Sequence, residues 1–545
     1  MEKTIIEKAS GKKISDLIGD EDTTICVKVD NRLRETNYVI TDDERHEIVK
    51  LDLKDSEAVK VYEASLRYLI GMAVERAFPD MRVKISYGIS KSMMLSFFSI
   101  KDAKPILATS KIRDRLESEL NSLIAENLPI IKKTITKDEA LKIYAQHGYK
   151  DRLEALQYRP ETTVHLYECD GYLDYPYSYM VTRTGKLSHF RLLVMTPGLI
   201  LSYPRAEDDG KILPLETDSS FAKALKKTRV QSARAGLTTI AAINDVLNRF
   251  GPTVLVGMCE DYCSEQYLRL AELYQSRAKT CRLILISGPS SSSKTTFAKR
   301  LRTLLMSYGL RPIRISMDDY YIDRNKMKKG PDGKYDLEGI GALDLDHFHE
   351  DMLSLAKGKQ TSIPIFNFAL QRKSGERTIQ PDGTSPIIVE GIHALNPQIT
   401  ASLDRDLWMG VYISPQVQVS IDDHNPMSLT DIRLIRRMVR DHKFRNTSAE
   451  KTIETWSEVR RGEFANIYPF QDNADFVFNS YLGYEMCALK THAMPLLSLV
   501  NSSSASYITA NRLMKFLKYF PAIPEEVIPC DSLIREFIGG SSYED

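Results

Sequence analysis

Apolar and polar positions change rhythm along this chain, and the change divides it. Up to about residue 60 there are short apolar runs between polar turns, such as Thr24–Val29 (TICVKV), which predict a small α+β module. Across 61–78 apolar residues recur at helical spacing (Tyr62, Leu66, Leu69, Ile70, Ala73), predicting an amphipathic helix that opens a second region. The charge-rich stretch 102–157 predicts further helices. Tyrosine-rich runs bounded by Gly and Pro across 163–203 predict antiparallel strands. A polar, linker-like segment follows at 204–216, then helical patterns broken at Gly251-Pro252.

From about residue 255 apolar β runs alternate with helical segments: Leu283–Ile286, Pro312–Ile315, Pro386–Val389, Leu407–Ile413 and Asp475–Phe478. Strands separated by helices predict βαβ units and a mostly parallel sheet. The fold class expected is therefore multidomain, with α+β modules first and an α/β domain after a boundary near 250–280.

Composition narrows the classes. Lys+Arg is 74 against Asp+Glu 73, a net charge of +1, which argues against a dedicated polyanion binder. Hydrophobic residues at 43% and charged residues at 27% suit a folded soluble protein. The seven cysteines form no zinc-spaced set, no segment reaches the ~18 apolar residues of a membrane span, and the first residues lack a signal-peptide core. These features predict a cytoplasmic protein with reduced, mostly buried thiols and no membrane partner; they set no oligomeric state.

The strongest motif is the run Gly288, Pro289, Ser290, Ser291, Ser292, Ser293, Lys294, Thr295, Thr296, placed between a β run and a helical pattern. That is the context of a Walker A phosphate loop, whose backbone N–H groups curl around phosphates at a helix N-terminus. Lys294 would reach the β/γ oxygens of ATP and the Thr295 hydroxyl would bind Mg²⁺. Ser293 stands where the motif has its second glycine, and a serine held at positive φ costs on the order of 1 kcal/mol or more.

Three further clusters follow. Ser316-Met-Asp318-Asp319-Tyr320-Tyr321 puts carboxylates at a strand tip; either aspartate suits a base beside a γ-phosphate, or the pair is a helix N-cap. Pro386–His393 is an apolar strand ending in Glu390, a Walker B-like position for a metal-linked acid. Arg433, Arg436, Arg437 and Arg440 share one helix face, which suggests an anion partner such as a transferring phosphoryl group, the alternative being a salt-bridged surface. The stretch Ile363–Phe368 is aromatic enough to hold a planar base, or to be packing.

Together GPSSSSKTT, SMDDYY, YDLEGIGALD, VEGIHALN and DIRLIRRMVRD resemble, in order, the motifs of the uridine kinase/phosphoribulokinase branch of P-loop kinases, over roughly 280–485. The resemblance implies ATP-dependent phosphorylation of a nucleoside 5′-hydroxyl, with uridine or cytidine as acceptor. Asp318 becomes the base, with Lys294, Arg436 and Arg437 as its catalytic partners. Thr295 and Glu390 become the Mg²⁺ residues. Asp336, Tyr320, Tyr321, Phe366, Gln371 and Arg433 would contact substrate, and the arginine helix would form a lid. The histidine that uridine kinases carry after their aromatic stretch is absent, and Gln371 stands near its place.

The N-terminal half resembles the long bacterial form of these kinases: residues 1–60 a TGS-type module, 61–230 the second additional domain of threonyl-tRNA synthetases without its His-x-x-x-His pair. That likeness suggests RNA contact. The expected division is completed by a helical connector at 231–275, the kinase-like domain at 276–490 and a helical C-terminal extension at 491–545. Alternatives are a kinase of another small hydroxylated metabolite and a nucleotide- or RNA-sensing protein with a degenerate loop.

Overall fold

The computed structural model describes residues 3–88, 92–215, 220–327, 335, 338–368 and 370–543. Asp336, expected at the substrate, lies outside them. The chain begins with β1 (Lys3–Ile6), α1 (Ile14–Ile18), β2 (Cys26–Val29), β3 (Arg32–Arg34) and β4 (His46–Leu51), an antiparallel sheet in the order β1-β4-β2-β3. The two-residue period of a strand gives this sheet two destinations. Val27, Val29 and Ile48 face Ile14 in a small core of their own, whereas Cys26 and Leu51 join the core of the next region. The first module is therefore welded to the second.

That second core is built on α2 (Ser56–Ala77). Its N-terminus is capped by Asp55, which accepts from the Glu57 and Ala58 N–H groups. The expected amphipathic helix is instead buried on nearly every side. Even Glu63 and Arg67 lie inside, paired at 2.8 Å, with Tyr203 donating to Glu63 at 2.9 Å. Around it lie β5 (Met81–Tyr87), β6 (Met93–Ser99), β7 (Pro105–Ile106) and α3 (Ser110–Glu126). Next come β8 (Ile131–Thr136), α4 (Lys137–His147), α5 (Lys150–Gln157), β9 (Thr163–Cys169) and β10 (Tyr172–Asp174), then β11 (Arg191–Met195) and β12 (Gly198–Ser202). One antiparallel sheet runs β11-β12-β6-β5 with β7 on β6; the other runs β10-β9-β8. β8 corrects the all-helical expectation for 102–157: IKKTIT is exposed at almost every position, so it shows no buried alternation to read.

The second half comprises α6 (Ser220–Arg234), α7 (Ile240–Phe250), α8 (Pro252–Arg277), β13 (Leu283–Ser287), α9 (Lys294–Ser307), β14 (Ile313–Ser316) and α10 (Leu345–Ala356). It continues with β15 (Thr361–Asn367), β16 (Arg372–Ile379), β17 (Ile387–Glu390), α11 (Pro397–Thr400) and β18 (Trp408–Ser414). It ends with α12 (Leu429–Arg445), α13 (Ala449–Asn466), β19 (Phe476–Asn479), α14 (Glu485–Ser498), α15 (Tyr507–Leu517) and α16 (Arg535–Ile538). All five apolar runs are strands of one parallel sheet, ordered β14-β17-β13-β18-β19. β13 is buried on both faces, Ile284 and Ile286 toward one core and Leu283 and Leu285 toward the other, as central parallel strands are. β15 and β16 form a separate antiparallel hairpin.

Helices before and after this domain share its core. Tyr267 of α8 stacks on Phe297 of α9 (centroids 5.1 Å apart), and both meet Phe478 of β19 edge-on. Phe537 and Ile538 of α16 are fully buried in the same cluster. The two halves meet at the loop 415–427, where His424 Nδ1 lies 2.7 Å from Asp174, Arg152 pairs with Asp174 at 3.0 Å and the Asp423 carbonyl accepts from Ile85 N–H at 2.7 Å. Among the described residues no helix is long and apolar enough to cross a membrane, and six of the seven free cysteines are buried, Cys530 being exposed.

The tail thus belongs to the core. Phe537→Ala is expected to lower unfolding stability by about 3–5 kcal/mol, the usual range for truncating a buried aromatic. Urea titration followed by the fluorescence of Trp408 and Trp456 measures it; a change under about 1 kcal/mol would show the tail to be peripheral.

Candidate active site

The site forms where the C-terminal tips of β13, β14 and β17 meet the start of α9, the crevice at which open parallel sheets take ligands. At Gly288 a Cβ would stand 2.1 Å from the Ile413 carbonyl oxygen of β18, so no side chain fits there. Ser291 and Ser293 take left-handed backbone (φ 59° and 71°). Ser293 therefore adopts the backbone that a glycine would hold without strain, at a cost of about 1–2 kcal/mol. The hydroxyls of Ser291, Ser292 and Ser293 are buried with no hydrogen-bond partner. Ser293 places no side-chain cap on the N-terminus of α9, and of the first-turn N–H groups that of Thr296 is taken by the Glu536 carboxylate at 3.2 Å.

Lys294 folds back over this loop, donating to the carbonyls of Gly288 (2.9 Å) and Pro289 (3.2 Å). Burial draws its ammonium below the usual lysine range, against the pull of Glu390. Thr295 donates to Glu390 at 3.2 Å, bringing together the two residues expected at a metal. Burial and the charge of Asp318 push the Glu390 carboxyl up to about 7, while Lys294 and Arg314 (3.5 Å) hold it down. A hydroxyl and a carboxylate side by side form an oxygen-only donor set that suits a hard cation such as Mg²⁺ carrying phosphate oxygens and water. No cluster of three or more His, Cys, Asp or Glu side chains able to hold a metal occurs among the described residues.

The two adjacent aspartates separate. Asp319 accepts from the Phe366 N–H at 3.4 Å and pairs with Arg377 at 3.5 Å, so it fastens the β15–β16 hairpin. Asp318 is exposed toward the loop, but the walls around it desolvate the carboxyl and raise it, with Lys294 acting in the opposite direction. Of the pair, Asp318 is the one left facing Lys294.

Other expectations are corrected. Tyr320 does not line a ligand pocket: its ring is fully buried against Phe348 and its hydroxyl donates to Asp351 at 2.8 Å. Tyr321, by contrast, stands outside that core, clustered with Phe366 and Phe368, each 5.7 Å away by ring centroids. Gln371 is exposed on the hairpin turn, accepting from Arg324.

The arginine helix is no open lid. Arg433 is fully buried, bonded to both Glu463 oxygens and to the Ser290 carbonyl at 2.8 Å. Arg436 is 1% exposed, bonded to Glu485, to the Ser480 carbonyl (2.8 Å) and to the Ser291 carbonyl (3.2 Å). Arg437 donates to Ser290 Oγ at 2.7 Å, and Arg440 pairs with Asp441. The four do share one face, but buried carboxylates distant in sequence hold two of them. Nothing in local spacing links Glu463 and Glu485 to α12, so the sequence pattern does not reveal them.

The two parts of the chain are similar to different known proteins. Residues 283–483 match the family model described as "Phosphoribulokinase / Uridine kinase family", so the C-terminal region is similar to the kinases of that family. The N-terminal region is similar to threonine--tRNA ligases: 29% identity over 171 residues to that of Thermotoga neapolitana (31% of this chain, 26% of that protein) and 29% over 166 residues to that of Streptococcus sanguinis (30% and 25%). The chain spans about a quarter of the length of these curated relatives. Among solved structures, one titled a possible uridine kinase from Bacillus stearothermophilus aligns at 19% identity, covering 37% of this chain and 89% of that one, with a TM-score of 0.22. D-glycerate 3-kinase from Cryptococcus neoformans aligns at 12% identity (46% and 87%), also with a TM-score of 0.22.

If Arg436 braces the loop, Arg436→Ala leaves Glu485 charged and unpaired in the interior. The expected loss of unfolding stability is about 3–5 kcal/mol, read by denaturant titration without nucleotide. An arginine of a mobile lid would leave that stability unchanged.

Proposed function

We propose that this protein transfers the γ-phosphoryl group of Mg·ATP to a hydroxyl of a nucleoside, with the 5′-hydroxyl of uridine or cytidine as the acceptor. One observation carries the reading: Lys294, the Thr295–Glu390 pair and Asp318 converge where the loop runs into the N-terminus of α9, the end of a helix that favours an anion. Phosphoryl transfer asks little covalent chemistry of a protein, and its catalysis is mostly positioning and neutralisation of spreading charge. Lys294 would release its two loop carbonyls and move onto the donor's outer phosphates. Thr295 and Glu390 would hold the magnesium ion, which supplies further neutralisation when bound. Asp318, with its carboxyl raised, would orient the acceptor hydroxyl and accept its proton. Tyr321, Phe366 and Phe368 offer flat apolar faces to a base. Arg437, on Ser290 Oγ, stands where it could turn toward a phosphoryl oxygen, whereas Arg433 and Arg436 would act through the loop they hold.

A second reading, RNA contact by the N-terminal region, is supported by the likeness to threonine--tRNA ligases and by a recess of ≈ 480 Å³ lined by Arg34, Tyr38, Lys132 and Tyr179. There Arg34 lies 4.7 Å from the Tyr38 ring centroid and Lys132 5.0 Å from that of Tyr179, a cation–aromatic lining suited to nucleotides.

Coupled ADP release measured across a panel of nucleosides and small polyols tests the main reading, and silence across the panel with intact ATP binding would reject it. Asp318→Asn is expected to lower turnover roughly 10²–10⁴-fold with little change in ATP affinity. Asp319→Asn is expected to act mainly by loosening the hairpin, raising the KM for acceptor more than it lowers kcat. For the RNA reading, a gel shift with tRNA should weaken in the double variant Arg34→Ala/Lys132→Ala, and the variant's binding should fall less steeply with salt than the natural protein's.

A further inference from the structure

The amides of the phosphate loop already meet carboxylates from elsewhere in the chain. Ser290 N–H donates to Glu463 Oε1 at 3.1 Å, and Glu463 is itself neutralised by Arg433. Thr296 N–H, in the first turn of α9, donates to Glu536 Oε2 at 3.2 Å. Glu536 comes from the C-terminal helix α16, 240 residues away. It also lies near Lys294 and Glu390, acting on the charge state of each.

Its position is built, because the tail around it is fixed. Ile534, Phe537 and Ile538 are buried. Lys443 donates to the Ile538 carbonyl, and Arg535 donates to the carbonyls of Glu525 (2.8 Å), Ile528 (2.6 Å), Pro529 (3.3 Å) and Gly539 (3.3 Å). The backbone of α16 stays in place while the half-buried Glu536 side chain, on one bond to an amide, is free to turn. A carboxylate on a helix-start amide takes up the same donor that a phosphate oxygen would.

We propose that Glu536 sets the affinity for the phosphate donor, its carboxylate competing with the donor's phosphates for the Thr296 N–H. The proposal rests on the reading that this loop grips a triphosphate. A donor reaching Thr296 must turn the Glu536 side chain aside and then lie against its charge. Loop amides cradle the inner phosphates while the lysine reaches the outer ones. The competition therefore bears on the inner end of the donor and is felt by ATP and ADP alike.

The test is calorimetric titration of Mg·ATP and Mg·ADP into the full chain. Glu536→Gln keeps the size of the side chain and removes its charge, and is expected to bind both nucleotides about tenfold more tightly than the natural protein. Glu536→Asp draws the carboxylate back by one methylene and is expected to bind more tightly as well; it answers the question if the Gln variant does not fold. Unchanged or weaker binding in a folded variant overturns the proposal. A Lys294→Ala control separates the underlying reading. If it binds nucleotide as well as the natural protein, or if the natural protein binds none, the phosphate loop itself is misassigned.

Discussion

Two buried guanidinium groups grip the carbonyls of a strained loop, and the site depends on them. Ser291 and Ser293 hold left-handed backbone that serine disfavours by about 1–2 kcal/mol each, so the segment would relax if left to itself. Arg433 binds the Ser290 carbonyl and Arg436 the Ser291 carbonyl, and each is locked by its own carboxylate, Glu463 or Glu485. Buried ion pairs are weak evidence for net stability because desolvation opposes them. Here they fix the Ser290 and Ser291 carbonyl oxygens in one direction, and with them the course of the loop. That explains how a chain with Ser293 in place of glycine keeps the loop's shape: the constraint comes from α12 and not from the freedom of the loop.

The same helix ties the site to the N-terminal half. α12 follows directly after the loop 415–427, which is fastened through His424, Asp423 and Asn425 to Asp174, Arg82 and Tyr175. At its start Asp431 pairs with Arg512 of α15, and near its end Lys443 holds the tail. A shift of the N-terminal region against α12 would reach the phosphate loop through few rigid contacts. The N-terminal modules are thus mechanically connected to the crevice while lying outside it, which makes them candidates to modulate it rather than to take part in the chemistry.

Much of this was legible beforehand, for identifiable reasons. The five parallel strands are continuous apolar runs because both faces are buried, and the phosphate loop is a local motif; both survive as sequence patterns. What stayed hidden was long-range. α2 reads as amphipathic from its polar positions, yet Glu63 and Arg67 satisfy one another inside the core, and burial without an apolar face leaves no periodic trace. The arginines of α12 are legible as a helix face, but the partners of Arg433 and Arg436 lie 30 and 49 residues away, so in sequence a brace looks like a lid. Tyr320 and Tyr321 are neighbours of one chemical type, and only packing shows that the first belongs to the core and the second to the aromatic cluster.

Charge in the crevice has a consequence for the order of events on the proposed reading. Asp318 raises the Glu390 carboxyl, Glu536 adds to it, and Lys294 is the cation that Asp318 and Glu390 share, itself drawn down by burial. A polyphosphate entering alone would take Lys294 from these carboxylates and leave them facing a second set of anionic oxygens. The same polyphosphate entering with a divalent cation brings the counter-charge for Glu390 and frees Lys294 to move. On the proposed reading, the carboxylate crowding that looks unfavourable for anion binding would select for the metal-complexed donor over the free one. On that reading Asp318 would gain its task only once donor and cation are both in place.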